Sequence, residues 1–339
     1  MLLDMPSKRK RIATLELPFR IDPSPKSSRI SEAVRDQAEP EQSLRITAAE
    51  IRNDPLIQKA LRIFERTIGR STKKAACGRN DTDLPLPDLH ISREAYRIFT
   101  EQGLDLRLGA RVIAAKKQGA NVVVDYQDQD GTHTLTVDKL IVASGRKPNT
   151  ENLTAPEANL LLDETGYINV DENCRTNLPG VYAIGDLNLL GPMLAHKGIE
   201  EGNFVAESCA GLKSYIHYDT LPSVIYTDPE IAWVGQTEQT LKTLGIAIKV
   251  GIFALNATAR AQATGKTEGL IKIITEADTD KLLGVHIIGH QASELIAEAV
   301  LAMEFSASGE DLARTIHAHP TVSEAFHDVA LVIKQSTTH

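Results

Sequence analysis

Cysteine is nearly absent. The 339 residues hold three, Cys77, Cys174 and Cys209, 97 and 35 positions apart, so neither a disulfide framework nor a thiolate metal cluster can be read from their spacing. Also missing is any apolar run near the ~18 to 20 residues a membrane helix requires. The start, MLLDMPSKRKRIA, has no apolar stretch of the secretory kind, so a cytoplasmic chain with no membrane partner is expected. None of the 22 glycines stands two positions from another, so no G-x-G turn for cradling a phosphate occurs. His286, His290 and His327 lack ligand-like spacing, and no metal site is expected. What is present, 42% hydrophobic and 24% charged residues, describes ordinary globular protein of two to three domains at roughly 150 residues each.

The net charge of −8 is unevenly spread. Residues 1–80 carry 17 Lys+Arg against 10 Asp+Glu, and residues 81–339 carry 20 against 35, so two kinds of sequence are joined. The basic part holds Lys8-Arg9-Lys10-Arg11 and one helical pattern over about 46–68, in which Ile51, Leu56, Ala60, Leu61 and Phe64 can share a face. A linker is expected at about 71–88 and partial disorder before it. Contact with nucleic acid is one use for such a charge run. A solvated run is the commoner case, so nucleic acid is not expected as a partner.

From about Ile91 helix and strand patterns alternate. ISREAYRIFTEQG reads as an amphipathic helix closed by Gly103, followed by short strands turning at Gly119 and Asp130-Gly131. KLIVAS and VYAIGDL read as buried strands of the parallel-sheet type, the second breaking at Gly185-Asp186. After Tyr218, strands precede helices at about 291–305, 309–315 and 321–334, the order of an α+β domain.

Several residues stand where chemistry can be done. Asp186, after a glycine that permits a tight turn, can present its carboxylate to ligand hydroxyls, or simply cap a turn. Gly191-Pro192-Met193-Leu194-Ala195-His196-Lys197-Gly198 reads as the start of a helix running to about Cys209, whose amino end offers backbone N–H groups to an electron-rich carbonyl; as plain letters, Met193 and Leu194 also suit a core. His319 precedes Pro320, which favours an extended, presented imidazole, and Glu324 lies five residues on. Thr321-Val322-Ser323-Glu324 also fits a capping box. His317 reads as a structural hydrogen-bonding residue.

Five stretches in order, IVASGRKPNTENL, GVYAIGDLNLLGPMLAHKGIEEG, PSVIYTDPEIAWVGQTE, LLGVHIIGHQASELIAEAVLAMEF and RTIHAHPTVSEA, resemble the carboxyl-terminal half of dihydrolipoyl dehydrogenases, flavoproteins of the pyridine nucleotide-disulfide oxidoreductase family. The resemblance implies α/β plus α+β architecture: a partial NAD-binding domain at 89–147, a partial FAD-binding domain at 148–215, and a complete interface domain of antiparallel sheet and helices at 216–339, after an unrelated extension at 1–88. It implies FAD held by Asp186 and Met193–His196, and NAD approached by Gly145 and Val112. It implies His319 as the acid/base for a dithiol and Glu324 as the group that orients its ring.

Partners implied are a second copy or an intact relative in a two-fold dimer, with Leu295, Ile296, Ala299, Val300 and Met303 as an apolar face, and a lipoyl-carrying 2-oxo acid dehydrogenase complex. The departures matter as much. Both glycine fingerprints and the C-x-x-x-x-C redox pair are missing, so this chain alone is expected to have no dihydrolipoyl dehydrogenase turnover. A dimerisation module without catalysis, or a truncated gene product, is the alternative.

Overall fold

The computed structural model describes residues 74–77 and 87–335, apart from 144 and 154. The basic cluster and the helix expected over 46–68 lie outside these residues. Within the stretch read as a linker, Lys74–Cys77 forms a strand, β1, paired in parallel with β2 (Leu104–Arg107). Between them runs helix α1 (Leu89–Glu101), whose Ile91, Ala95, Ile98 and Phe99 fall on one buried face at helical spacing. Strands β3 (Arg111–Gln118), β4 (Asn121–Asp128) and β5 (Gly131–Val137) form an antiparallel meander that turns at the expected glycines.

Two expected strands are not formed. KLIVAS has no strand geometry in its described residues, which are no more than half-buried, and VYAIGDL contributes only an isolated bridge between Tyr182 and Arg175. A strand needs at least one neighbour to take its N–H and C=O groups, and no strand among the described residues lies alongside these two. Asp186 therefore sits in a short 3-10 turn, Gly185–Leu187, rather than at a sheet end. The helix expected to follow is α2 (Ala195–Cys209), starting at Ala195 rather than at Gly191.

The carboxyl-terminal third is organised by one sheet. Strands β6 (Ser223–Ile225), β7 (Glu230–Gly235), β8 (Ile248–Ala254), β9 (Gly269–Glu276) and β10 (Leu282–Gly289) pair antiparallel in the order β6-β7-β10-β9-β8. Short helices α3 (Glu238–Thr243) and α4 (Ala259–Thr264) fill connections, and α5 (Ala292–Glu304), α6 (Gly309–Arg314) and α7 (Glu324–Gln335) follow the last strand. One sheet face packs on α5 and α7 through Ala232, Val234, Ile271, Ile273, Val285 and Ile287. A side chain at Gly251 would strike Ile333 and the Val329 carbonyl, so α7 lies directly on β8 there. The apolar face foreseen on α5 is spent on this core; large apolar side chains left outside near the α5–α6 end include Leu301, Phe305 and, beyond α6, Ile316 at 96% exposure.

The opposite face carries α1, packed on Ile225, Ile231, Trp233 and Ile288. Coverage on both faces explains why β7, β9 and β10 are nearly continuous in apolar residues where a half-solvated antiparallel strand would alternate. Lys272 breaks that rule. Fully buried beneath α1, its ammonium donates to Asp88 Oδ1 at 2.7 Å and Glu238 Oε2 at 2.5 Å, with His90 Nδ1 at 2.9 Å. Asp88 is also the N-cap of α1, accepting from the His90 amide at 2.9 Å, and it accepts the Glu238 amide at 3.0 Å. Burial alone would raise the Asp88 carboxyl, but the bonds from Lys272 and the two amides outweigh it and bring its pKa down to about 2. Across the ladder from Lys272 lies His286, whose Nε2 contacts the Gln236 carbonyl at 3.0 Å; burial pushes its pKa down to about 4, so the ring is neutral.

Lys272→Met is expected to cost about 3–5 kcal/mol in urea unfolding, because it leaves the Asp88 carboxylate buried without its counter-ion. Lys272→Met/Asp88→Asn should recover part of that loss. Equal stability of wild type and the single variant would show that the pair is solvated. A second expectation concerns pH. The unfolded chain takes up a proton at residue 286 near pH 6.5 and the folded chain resists it until about 4, so the urea midpoint should fall as pH drops through that window. Part of that slope should vanish in His286→Asn, and an unchanged slope would contradict the assignment.

Candidate functional site

Two clusters collect most of the residues singled out in the sequence. The first is built on the turn and helix start between residues 185 and 196. Gly185, at φ +67°, turns the chain so that Asp186 points outward, about half exposed. Arg146 reaches across from the segment after Gly145. Its Nη1 donates to Asp186 Oδ2 at 2.9 Å and its Nη2 to the carbonyl of Met193. One guanidinium thus ties the turn to the helix entrance, using the planar fork that distinguishes Arg from Lys.

Met193 and Leu194 are half-buried rather than core residues, and Ala195 and His196 are exposed, with His196 Nε2 2.9 Å from the Pro222 carbonyl. The N-cap of α2 is Leu194, which has no side chain to bond the first-turn amides. These amides, at the positive end of a 15-residue helix, suit an acceptor that gains negative charge. The edge of a flavin ring is such an acceptor, so the residues present fit that group.

Gly145 adjoins the cluster, exposed and at φ +107°. Val112 does not join it: half-buried on β3 opposite Tyr126 of β4, it is placed in the meander.

The second cluster lies between α6 and α7. His319 Nδ1 is 2.8 Å from Glu324 Oε1, and the imidazole is 71% exposed, so its Nε2 side faces outward. The other carboxylate oxygen accepts the Thr321 amide at 2.8 Å. Both roles available to Glu324 in the sequence are therefore filled by one side chain, which ties down the turn before α7 with one oxygen and holds the ring with the other. The Thr321 hydroxyl donates instead to the Ala318 carbonyl at 2.7 Å, so the capping box is only half made. Glu324 is held below the usual carboxylate range by the Thr321 amide and then by His319. His317 is placed as a structural residue, with Nε2 2.6 Å from Glu298. No hydrogen bond or ion pair links the two clusters among the described residues.

Sequence reasoning passed over Arg146, Lys197 and Glu201. All three were inside quoted motifs. Nothing in the letters says that Arg146 folds back on Asp186, or that Lys197 and Glu201 are buried, since both types are usually solvated. The cysteines offer no redox centre among the described residues. Cys174 is buried, its thiol pushed up to about 11 by burial and then by the Glu201 charge, and Cys209 is a free thiol at the end of α2. Asp88, His90 and Glu238 lie close enough to ligate an ion, but the Lys272 ammonium fills the space between them.

Residues 79–202 match the pyridine nucleotide-disulphide oxidoreductase family and residues 221–330 match its dimerisation domain. The chain belongs to the pyridine nucleotide-disulphide oxidoreductase family. Among curated relatives it is similar to the dihydrolipoyl dehydrogenase of Cupriavidus necator, 48% identical over 73% of this chain and 52% of that one, and to the mitochondrial dihydrolipoyl dehydrogenase of Homo sapiens, 44% identical over 72% and 48%. It thus spans about half the length of the curated relatives it matches. Among solved structures it is similar to LpdA of Mycobacterium tuberculosis (TM-score 0.70, 27% identity, 76% of this chain and 56% of that one). It is also similar to the HOCl-induced flavoprotein disulfide reductase RclA of Escherichia coli (TM-score 0.70, 25% identity, 77% and 60%). No helix among the described residues is long and apolar enough to cross a membrane.

Glu324→Ala is expected to speed hydrogen exchange at the Thr321 amide, while Glu324→Gln, which keeps an acceptor, should leave it slow. Identical exchange in all three proteins would mean that Glu324 does not hold this turn.

Proposed function

We propose that this chain carries the proton-transfer and flavin-edge portion of a dihydrolipoyl dehydrogenase type of dithiol oxidation. The carrying observation is the dyad: an exposed imidazole whose inner nitrogen is fixed 2.8 Å from a carboxylate. A thiolate, not a thiol, attacks a disulfide. His319 accepts the proton from one thiol of a dihydrolipoyl group through Nε2. Glu324 keeps the other ring nitrogen protonated and steadies the imidazolium that results. Asp186 accepts hydrogen bonds from the polyhydroxyl chain of FAD, and the uncapped amides of α2 face its ring carbonyl edge. FAD, when bound, supplies the electron relay to NAD, and Gly145 and Val112 are assigned to the nicotinamide cofactor.

The thiolate needs a disulfide to attack. The sequence offers no C-x-x-x-x-C pair and Cys174 is inert, so the chain by itself has no turnover, and its acid/base serves the redox disulfide of a second subunit in a dimer. Leu301, Phe305 and Ile316, exposed around the α5–α6 end, are the apolar surface available to such a pairing. The same surface supports a second reading, a dimerisation module of a cytoplasmic complex that contributes no chemistry.

Co-expression with an intact dihydrolipoyl dehydrogenase whose own acid/base histidine has been replaced separates the two. Rescue of activity is expected, and His319→Gln in this chain should reduce the rescued rate by about 10²- to 10⁴-fold. A mixed dimer that forms but stays inactive would leave only the second reading.

A further inference from the structure

We infer that Lys197 and Glu201 are positioning residues for the flavin site: a buried ion pair on α2 grips both backbone polar groups of Gly185 and so fixes where the Asp186 carboxylate points. The inference rests on the reading of Asp186 as a flavin ligand given above.

The two side chains lie one helical turn apart and are 1% and 0% exposed. Lys197 Nζ spends its three protons on the Gly185 carbonyl at 2.9 Å, Asn188 Oδ1 at 2.6 Å and Glu201 Oε1 at 3.0 Å. Glu201 in turn accepts the Gly185 amide at 2.5 Å, the Tyr218 hydroxyl at 2.9 Å and the Asn188 side-chain Nδ2 at 3.3 Å. Asn188, also buried, donates to the Ala183 carbonyl at 2.9 Å and accepts the Leu190 amide at 3.1 Å. The backbone on both sides of Asp186 is therefore bound to one buried network, while Asp186 itself is untouched by the pair. Burial and then the hydrogen bond to Glu201 hold the Tyr218 phenol well above its ordinary pKa, so it remains a donor to that carboxylate.

Backbone contact adds to the grip. A side chain at Gly198 would come within 3.2 Å of the Gly185 Cα, so the first turn of the helix rests directly on the turn that carries Asp186. The Asp186 carboxylate and the Met193–His196 amides thus share one rigid frame, with Arg146 clasping it from the solvent side.

Energetics favour a geometric role over a stabilising one. Taking two charges out of water costs free energy that their attraction barely repays, and apolar replacements of similar volume are often neutral or stabilising. A pair kept only for stability would gain from such a replacement. A pair kept for aim would lose function by it, because the Gly185 amide and carbonyl would lose their partners.

The test uses the full chain and three readouts, thermal midpoint, FAD titration by flavin fluorescence and hydrogen exchange at the Gly185 amide, each applied also to Asp186→Ala. In Lys197→Met/Glu201→Leu the midpoint should fall, because Gly185, Asn188 and Tyr218 lose their partners, while the FAD dissociation constant should increase about tenfold and Gly185 exchange should quicken by roughly as much. Should the double variant not fold, Lys197→Met/Glu201→Gln, which leaves no buried charge unpaired and keeps an acceptor at residue 201, carries the same comparison. Unchanged FAD affinity together with unchanged Gly185 exchange overturns the inference. Wild-type chain that takes up no FAD, or Asp186→Ala that binds it as well as wild type, overturns the flavin reading instead, and Gly185 exchange alone then decides whether the pair holds the turn.

Discussion

The structure depends on a sheet that must be covered on both faces, and a buried ammonium holds one of those covers in place. Lys272 emerges on the face of the five-stranded sheet away from α5 and α7, where it would be an uncompensated charge in an apolar layer. Asp88, at the start of α1, meets it, and Glu238, at the start of α3, closes the group. Because Asp88 also caps α1, the interaction that neutralises the lysine sets the position of the helix end. From there the apolar face of α1 runs over Ile231, Trp233 and Ile288. The segment matching the oxidoreductase domain is thereby anchored to the dimerisation domain by a charge that neither could bury alone.

The same device recurs at the turn before α2 on a smaller scale. Lys197 and Glu201 are surrounded by backbone and amide partners, and the turn they hold carries the one carboxylate that faces outward. Both networks place a charge where water is excluded and then satisfy each proton and lone pair that the charge brings, the condition under which a buried polar group is tolerated. The His319–Glu324 pair is arranged differently. His319 and Glu324 are at the surface, fixed by a turn and a helix start rather than by burial. A ring this exposed has little packing around it, so its orientation comes from a short-range bond.

Much of this was legible from letters. The order of β6 to β10 and of α5 to α7 follows from apolar runs separated by turn residues, and the five motif stretches pointed to the family that the comparisons bear out. His319 and Glu324 were legible as a pair because five residues and one proline separate them, so local geometry alone brings them into contact. KLIVAS and VYAIGDL misled because an apolar run records only the wish to be buried; whether it becomes a strand depends on neighbours that the run does not contain.

The sequence by itself determined the chemistry on offer, namely which side chains can take a proton, accept from a hydroxyl or present amides at a helix end, and the absence of a closely spaced cysteine pair. Only the tertiary structure decided which charges are buried and what they hold. Lys272 finds Asp88 across 184 positions, Arg146 finds Asp186 across 40, and Glu201 finds the Tyr218 hydroxyl across 17. Such pairings are fixed by the packing of sheet and helices around them, because a charge's partner is whichever opposite group the fold excludes from water beside it, and periodicity carries no record of that neighbour.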